Sequence, residues 1–153
     1  MTVDKHKKLY TLGTSNRESK DFLEILKTYC IEAVIDVRRF PTSRWEHFKK
    51  ENLQKILEKE GINYFYLGRE LGGYRKEGYE KHIETPLFKE GIQRLEKIAT
   101  RLTSVFICAE KLPWKCHRRF IADVLQKRGW KIIHIIDRQR TWNPRTSLFL
   151  NDT

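Results

Sequence analysis

Apolar positions along the chain follow two alternating rhythms. Short aliphatic or β-branched runs at 9–13, 33–38, 63–67, 105–108 and 131–136 read as buried strands. Between them apolar side chains return every three or four positions: Phe22, Leu23, Leu26 and Tyr29; Phe48, Leu53, Ile56 and Leu57; Phe88, Ile92, Leu95, Ile98 and Leu102; Phe120, Ile121, Val124 and Leu125. Each of these stretches reads as a half-buried helix. Their ends carry matching signals, with Ser19 a candidate cap, Thr85-Pro86 a cap followed by a first helical residue, and Gly61 and Gly129 stops. Cys30, at the end of the first apolar helical face, is expected in the core. Phe40-Pro41-Thr42-Ser43 breaks the second strand. Residues 68–84 hold four of the eight glycines without a clear period, so a long loop is expected there.

Strands alternating with helices predict an α/β protein: one domain over residues 7–137, with a central, mostly parallel sheet of about five strands and helices on both faces. Residues 138–153 form a basic and aromatic tail carrying Arg138, Arg140, Trp142 and Arg145, with neither a helical nor a strand pattern. It reads as either an ordered arm or a frayed end.

Composition narrows the class. A chain of 153 residues can bury roughly two-thirds of its unfolded surface in one core. No apolar run approaches the roughly 18 residues of a membrane span, and the first eight residues lack the apolar segment of a secretory signal, so a cytoplasmic protein without a membrane partner is expected. Three cysteines, at 30, 108 and 116, are odd in number and widely spaced, which argues against a disulfide framework. A formal charge of +11 and a pI near 9.7 exceed what solubility requires and suit a polyanionic partner such as nucleic acid. Basic residues spread evenly, as in proteins from hot environments, would give the same total.

In an open parallel sheet every strand points its carboxyl end at one edge, and ligands bind there. The loops leaving the first four strands carry Thr14, Ser15, Asn16 and Arg17; Asp36, Arg38 and Arg39; Arg69, Glu70, Gly72 and Gly73; and Cys108, Glu110, Cys116, His117 and Arg118. The last is the densest, and a strand-loop-helix junction aims unpaired N–H groups and a positive dipole end into its loop. Candidate catalytic residues are Cys108 or Cys116 as nucleophile, with Glu110, Asp36 and His117 handling protons. Candidate ligand-binding residues are Ser15, Asn16, Arg38, Gly72, Gly73 and Arg118, the arginines for their forked donors and the glycines for close backbone approach. Cys108, Cys116 and His117 with Glu110 or Asp36 match no standard zinc spacing, so no metal is assigned, and no cofactor is indicated. Blander readings stand beside these: Cys108 as a buried strand thiol, Asp36 and Arg38 as a structural pair, and Tyr74, Arg75, Tyr79 and His82 as a solvated lid rather than a single-strand-binding surface.

Thr11-Leu-Gly-Thr-Ser-Asn, Val34-Ile-Asp-Val-Arg-Arg-Phe-Pro, Leu71-Gly-Gly, Cys108-Ala-Glu and Cys116-His-Arg occur in that order. Together they resemble the uncharacterised bacterial and archaeal domain-of-unknown-function family 488 across about residues 9 to 137, with Thr14 where that family often carries His. This resemblance implies no established activity. A weaker resemblance, in Ile-Asp-Val-Arg after an early strand and a Cys ending a later one, is to rhodanese-like and cysteine-phosphatase domains. It implies a rhodanese-like or Rossmann-like layout, although Arg118 lies ten residues after Cys108 rather than the six of the phosphatase loop. The leading functional expectation is an enzyme acting on a phosphate-bearing ligand, a nucleotide or nucleic acid. A non-catalytic nucleic-acid-binding module and sulfur transfer through a persulfide are the alternatives.

Overall fold

The computed structural model describes residues 7–40 and 45–143. Five strands, β1 (Lys8–Gly13), β2 (Ala33–Asp36), β3 (Asn63–Tyr66), β4 (Ser104–Cys108) and β5 (Lys131–Ile135), run parallel. A sixth, β6 (Thr141–Trp142), pairs antiparallel with β5, and the order across the sheet is β3-β2-β4-β1-β5-β6. The expected α/β architecture is present, with one more strand than the apolar pattern gave. β6 is only two residues long and half exposed, so it leaves no alternating signature. The strand break at 41–43 and Arg145 lie outside the described residues.

Helices α1 (Ser19–Thr28) and α2 (Lys50–Lys59) cover one face, where Phe22, Ile25, Leu26, Leu53 and Leu57 pack on Tyr10, Leu12, Val34, Val105 and Ile107. On the other face short α3 (Gly68–Leu71), α5 (Pro86–Arg101) and α6 (Arg118–Lys127) bury Leu71, Phe88, Ile92, Leu95, Ile121 and Leu125 against Leu9, Ile35, Phe106 and Cys108. Thr85 caps α5 as its sequence predicts, its hydroxyl accepting the Phe88 N–H at 3.2 Å.

Three local expectations are corrected. Ser19 is the first residue of α1 and Glu18 holds the cap position without a side-chain cap bond. Cys30 is exposed, because it occupies the left-handed turn after α1 (φ 57°) and its side chain leaves the core while Ile31 re-enters it. The segment 68–84 is no continuous loop, since it contains α3 and α4 (Tyr79–His82), each too short to show a period.

The strand order fixes where a site forms. From β1 the chain crosses outward over the α1 face to β2, whereas from β4 it crosses the other way over the α6 face to β5. Right-handed crossovers in opposite directions require opposite faces. The neighbouring carboxyl ends of β1 and β4 are therefore a topological switch point, where two loops part and leave a crevice. Both strands end in register, Gly13 beside Cys108, and Thr14 N–H and Ser15 N–H continue the pairing to the carbonyls of Cys108 and Ala109 at 2.7 and 2.8 Å. The fit is close enough that a Cβ on Gly13 would lie 1.9 Å from the Glu110 carbonyl oxygen. Gly13→Ala is accordingly expected to destabilise the fold by about 1–3 kcal/mol through forced backbone displacement, read as a lower thermal midpoint.

Candidate functional site

The crevice at this switch point opens into a pocket of about 950 Å³. Its floor is Cys108, Ala109, Cys116 and His117, its walls include Thr14, Ser15, Asn16, Glu110 and Gly73, and Arg38, Arg39, Arg75, Lys115, Phe40, Trp45, Tyr74 and Tyr79 complete it. Of the residues singled out from sequence, Cys108, Glu110, Cys116, His117, Ser15, Asn16, Arg38 and Gly73 line this one pocket. Asp36, Gly72 and Arg118 do not; each is committed to holding the surrounding loops.

Arg118 opens α6 fully buried. Its guanidinium donates to Thr11 Oγ1 at 3.0 Å, to the Glu110 carbonyl at 2.8 Å and to the Lys111 carbonyl at 3.2 Å, while Nε has no hydrogen-bond partner among the described residues. Arginine stays charged at any ordinary pH, so this side chain clamps the β4–α6 loop from below and brings a permanent positive charge under the pocket floor. Thr11 Oγ1, which accepts from Arg118, is also hydrogen-bonded to Nδ1 of buried His134. Burial, aided by the Arg118 charge, drives the pKa of His134 down to about 3, which leaves the ring neutral. Thr11 and His134 escaped sequence reasoning. Their signal is a polar side chain at an inward position of an apolar strand.

Asp36 is completely buried. Its oxygens receive Arg38 Nε and Nη2, each at 2.8 Å, and the Tyr64 hydroxyl at 2.6 Å, while Arg38 Nη1 reaches the Phe48 carbonyl at 2.7 Å. Burial, then the Asp36 charge, push the Tyr64 phenol far above its ordinary range, so it remains a donor to the carboxylate. This bidentate pair ties β2, β3 and the turn before α2 together. Gly72 lets its segment pack on Arg39, where a Cβ would lie 2.4 Å from the Arg39 Cβ.

The two cysteines hold opposite states. Cys108 is buried at the end of β4; its single proton has the Glu110 carbonyl at 3.6 Å and the Cys116 sulfur as acceptors. Burial, reinforced by the neighbouring sulfur, raises its pKa well above the usual thiol range. Cys116 lies just before α6 and is pulled far below that range, first by the hydrogen bond from Cys108 and then by His117 and the Arg118 charge, against the opposing effect of burial. Its sulfur, on the residue before the α6 cap position held by His117, also accepts the Arg118 backbone N–H at 3.4 Å. His117 Nε2 lies 3.2 Å from the Val37 carbonyl, which only accepts, so Nε2 carries a proton and Nδ1 faces the Cys116 sulfur at 3.5 Å. The geometry sets the Cys116 sulfur in hydrogen-bond contact with the His117 ring. Tyr79 packs its ring 5.3 Å from that of His117, and Gly73 brings bare backbone against the imidazole, a Cβ there falling 3.1 Å from Nδ1.

Glu110 is exposed at the rim, and its carboxylate accepts the Leu112 N–H at 3.2 Å, which staples the loop. Among the described residues no group of three or more His, Cys, Asp or Glu side chains is arranged to hold a metal ion, and no helix is long and apolar enough to cross a membrane.

A parallel sheet with two cysteines and several basic side chains at its carboxyl edge defines an α/β protein with a cysteine- and arginine-lined pocket. The chain belongs to the DUF488 family, a domain of unknown function, whose family model matches residues 18–125 and so spans β2 to β4 and most of α6. No curated protein and no solved structure matches it significantly.

Two substitutions separate scaffold from chemistry. Asp36→Ala is expected to cost about 3–5 kcal/mol by leaving Arg38 buried and unpaired, measured by denaturant unfolding. Cys108→Ala removes the donor that favours the Cys116 thiolate, so the apparent pKa from the pH dependence of Cys116 alkylation is expected to rise.

Proposed function

We propose that the protein is a thiolate-dependent enzyme acting on a phosphate-bearing ligand, with Cys116 as nucleophile. The observation that carries this reading is the placement of the Cys116 sulfur, which accepts the first N–H of α6 and faces the His117 Nδ1 inside the basic pocket. Thiolates, not thiols, attack, and this one is held anionic by donors that stay fixed during reaction. Ser15, Asn16, Arg39, Arg75 and Lys115 surround the space above it and suit a phosphate dianion in charge and donor type.

In the proposed reaction the Cys116 thiolate forms an S–P bond as the P–O ester bond breaks, and the His117 imidazolium gives its Nδ1 proton to the departing oxygen. Neutral His117 then takes a proton from water as that water attacks phosphorus. The S–P bond breaks, and thiolate and imidazolium are restored. The sum is one ester and one water converted to one alcohol and one phosphate. Val37, by fixing Nε2, keeps Nδ1 as the working nitrogen in both halves.

Iodoacetamide is expected to alkylate Cys116 at pH 6, where an ordinary thiol with a pKa of about 8.5 is almost wholly protonated. Inorganic phosphate is expected to protect it. Slow labelling that rises only above pH 8, or labelling indifferent to phosphate, would remove the proposal. With p-nitrophenyl phosphate as a generic ester, Cys116→Ala is expected to abolish turnover, and His117→Asn to lower kcat by about 10²-fold or more.

A further inference from the structure

The outer half of the pocket is built differently from its floor. Arg39-Phe40 from the loop after β2 and Tyr74-Arg75 from the loop after α3 meet there as two facing pairs of a cation and an aromatic ring. The Phe40 and Tyr74 ring centroids are 6.2 Å apart with 38° between planes, and the Arg39 guanidinium lies 5.3 Å from the Phe40 centroid. Arg39 Nη1 donates to the Tyr74 carbonyl at 2.6 Å, and Arg75 anchors its own loop through the Gly72 and Arg69 carbonyls at 2.8 and 2.6 Å. The rings are nevertheless open to solvent: Tyr74 is 87% exposed, Phe40 61% and Trp45 37%. Tyr74 also holds a left-handed backbone (φ 58°), a conformation disfavoured for a bulky residue and one that concentrates at ligand clamps. Among the described residues Arg39, Arg75 and Lys115 form no ion pair, and the charged side chains lining the pocket are four basic (Arg38, Arg39, Arg75 and Lys115) against one acidic (Glu110), so positive charge prevails at the rim.

Exposed rings interleaved with cations match one chemical class well. A strand of unpaired nucleotides offers a flat apolar base beside a phosphate at each step, and stacking with charge neutralisation is how single strands are held without sequence readout. A duplex buries its base faces and meets such a rim with phosphates alone. We infer that the rim of Phe40, Tyr74 and Trp45 stacks unpaired bases of a single-stranded nucleic acid whose phosphates lie on Arg39, Arg75 and Lys115, leading one phosphate down to Cys116. This names the substrate class of the proposed phosphate site and rests on that reading for its inner end only.

The test is fluorescence anisotropy of a labelled single-stranded oligonucleotide, its abasic counterpart of equal length and charge, and the matching duplex. Tyr74→Asn removes the ring and suits the left-handed backbone, Tyr74→Phe keeps the ring, and Phe40→Ala removes the second ring. Tyr74→Asn is expected to weaken single-strand binding roughly tenfold while leaving abasic binding unchanged, and Tyr74→Phe is expected to bind as the wild type does. Phe40→Ala should resemble Tyr74→Asn. Equal losses on base-bearing and abasic strands, no loss at all, or a duplex bound as tightly as the single strand would each overturn the inference. Cys116 alkylation at pH 6 is read on the same variants. Normal alkylation with phosphate protection but ring-insensitive binding sinks the inference and spares the proposed thiolate site, whereas ring-dependent binding with an unreactive Cys116 does the reverse.

Discussion

Beneath the pocket floor sits a guanidinium that no carboxylate among the described residues pairs with, and the arrangement above it answers that charge. Arg118 cannot shed its proton, so burial obliges the fold to supply acceptors and a nearby anion. Thr11 and the carbonyls of Glu110 and Lys111 are the acceptors. The Cys116 sulfur, bonded to the N–H of the same arginine, is the anion. Loop shape, the neutrality of His134 and the ionisation of Cys116 are thus one linked arrangement. Lysine has the charge but not the planar fork that reaches three acceptors at once.

Charge is divided between scaffold and pocket by whether a side chain has an opposite charge bonded to it. Asp36, Arg38 and Tyr64 satisfy one another in the interior and brace three segments, which explains a conspicuous Asp-Val-Arg motif without assigning the carboxylate to chemistry. Arg39, Arg75 and Lys115 instead bring their charge to the pocket. The two cysteines divide in the same manner: the buried one keeps its proton and lends it as a hydrogen bond, and the one at the helix start carries the negative charge. Topology made this division possible, since at the β1–β4 switch point neighbouring strands send their loops to opposite faces of the sheet and expose both strand ends.

Much of this was legible in the chain because burial imposes a period. Alternating apolar runs and helical faces located five strands and four long helices, and the parallel arrangement then gathered Ser15, Asn16, Cys108, Glu110, Cys116 and His117 at one edge. Short elements were not legible: α3, α4 and β6 hold four, four and two residues, too few to repeat anything. Cys30 was misplaced because a helical face says nothing about the left-handed turn that follows it.

What the sequence determined by itself was composition, periodicity and the order of motifs, all local properties that fix most of the core and which loops bring polar and cysteine side chains to one edge of the sheet. Tertiary structure alone decided which cysteine is the anion, because that depends on a proton from Cys108 eight positions away and a clamp between Arg118 and Thr11, 107 positions apart. It also decided that Asp36 and Arg118 brace the loops around the pocket and do not line it. Electrostatic roles follow distance in space and the dielectric around each group, and neither is written in spacing along the chain.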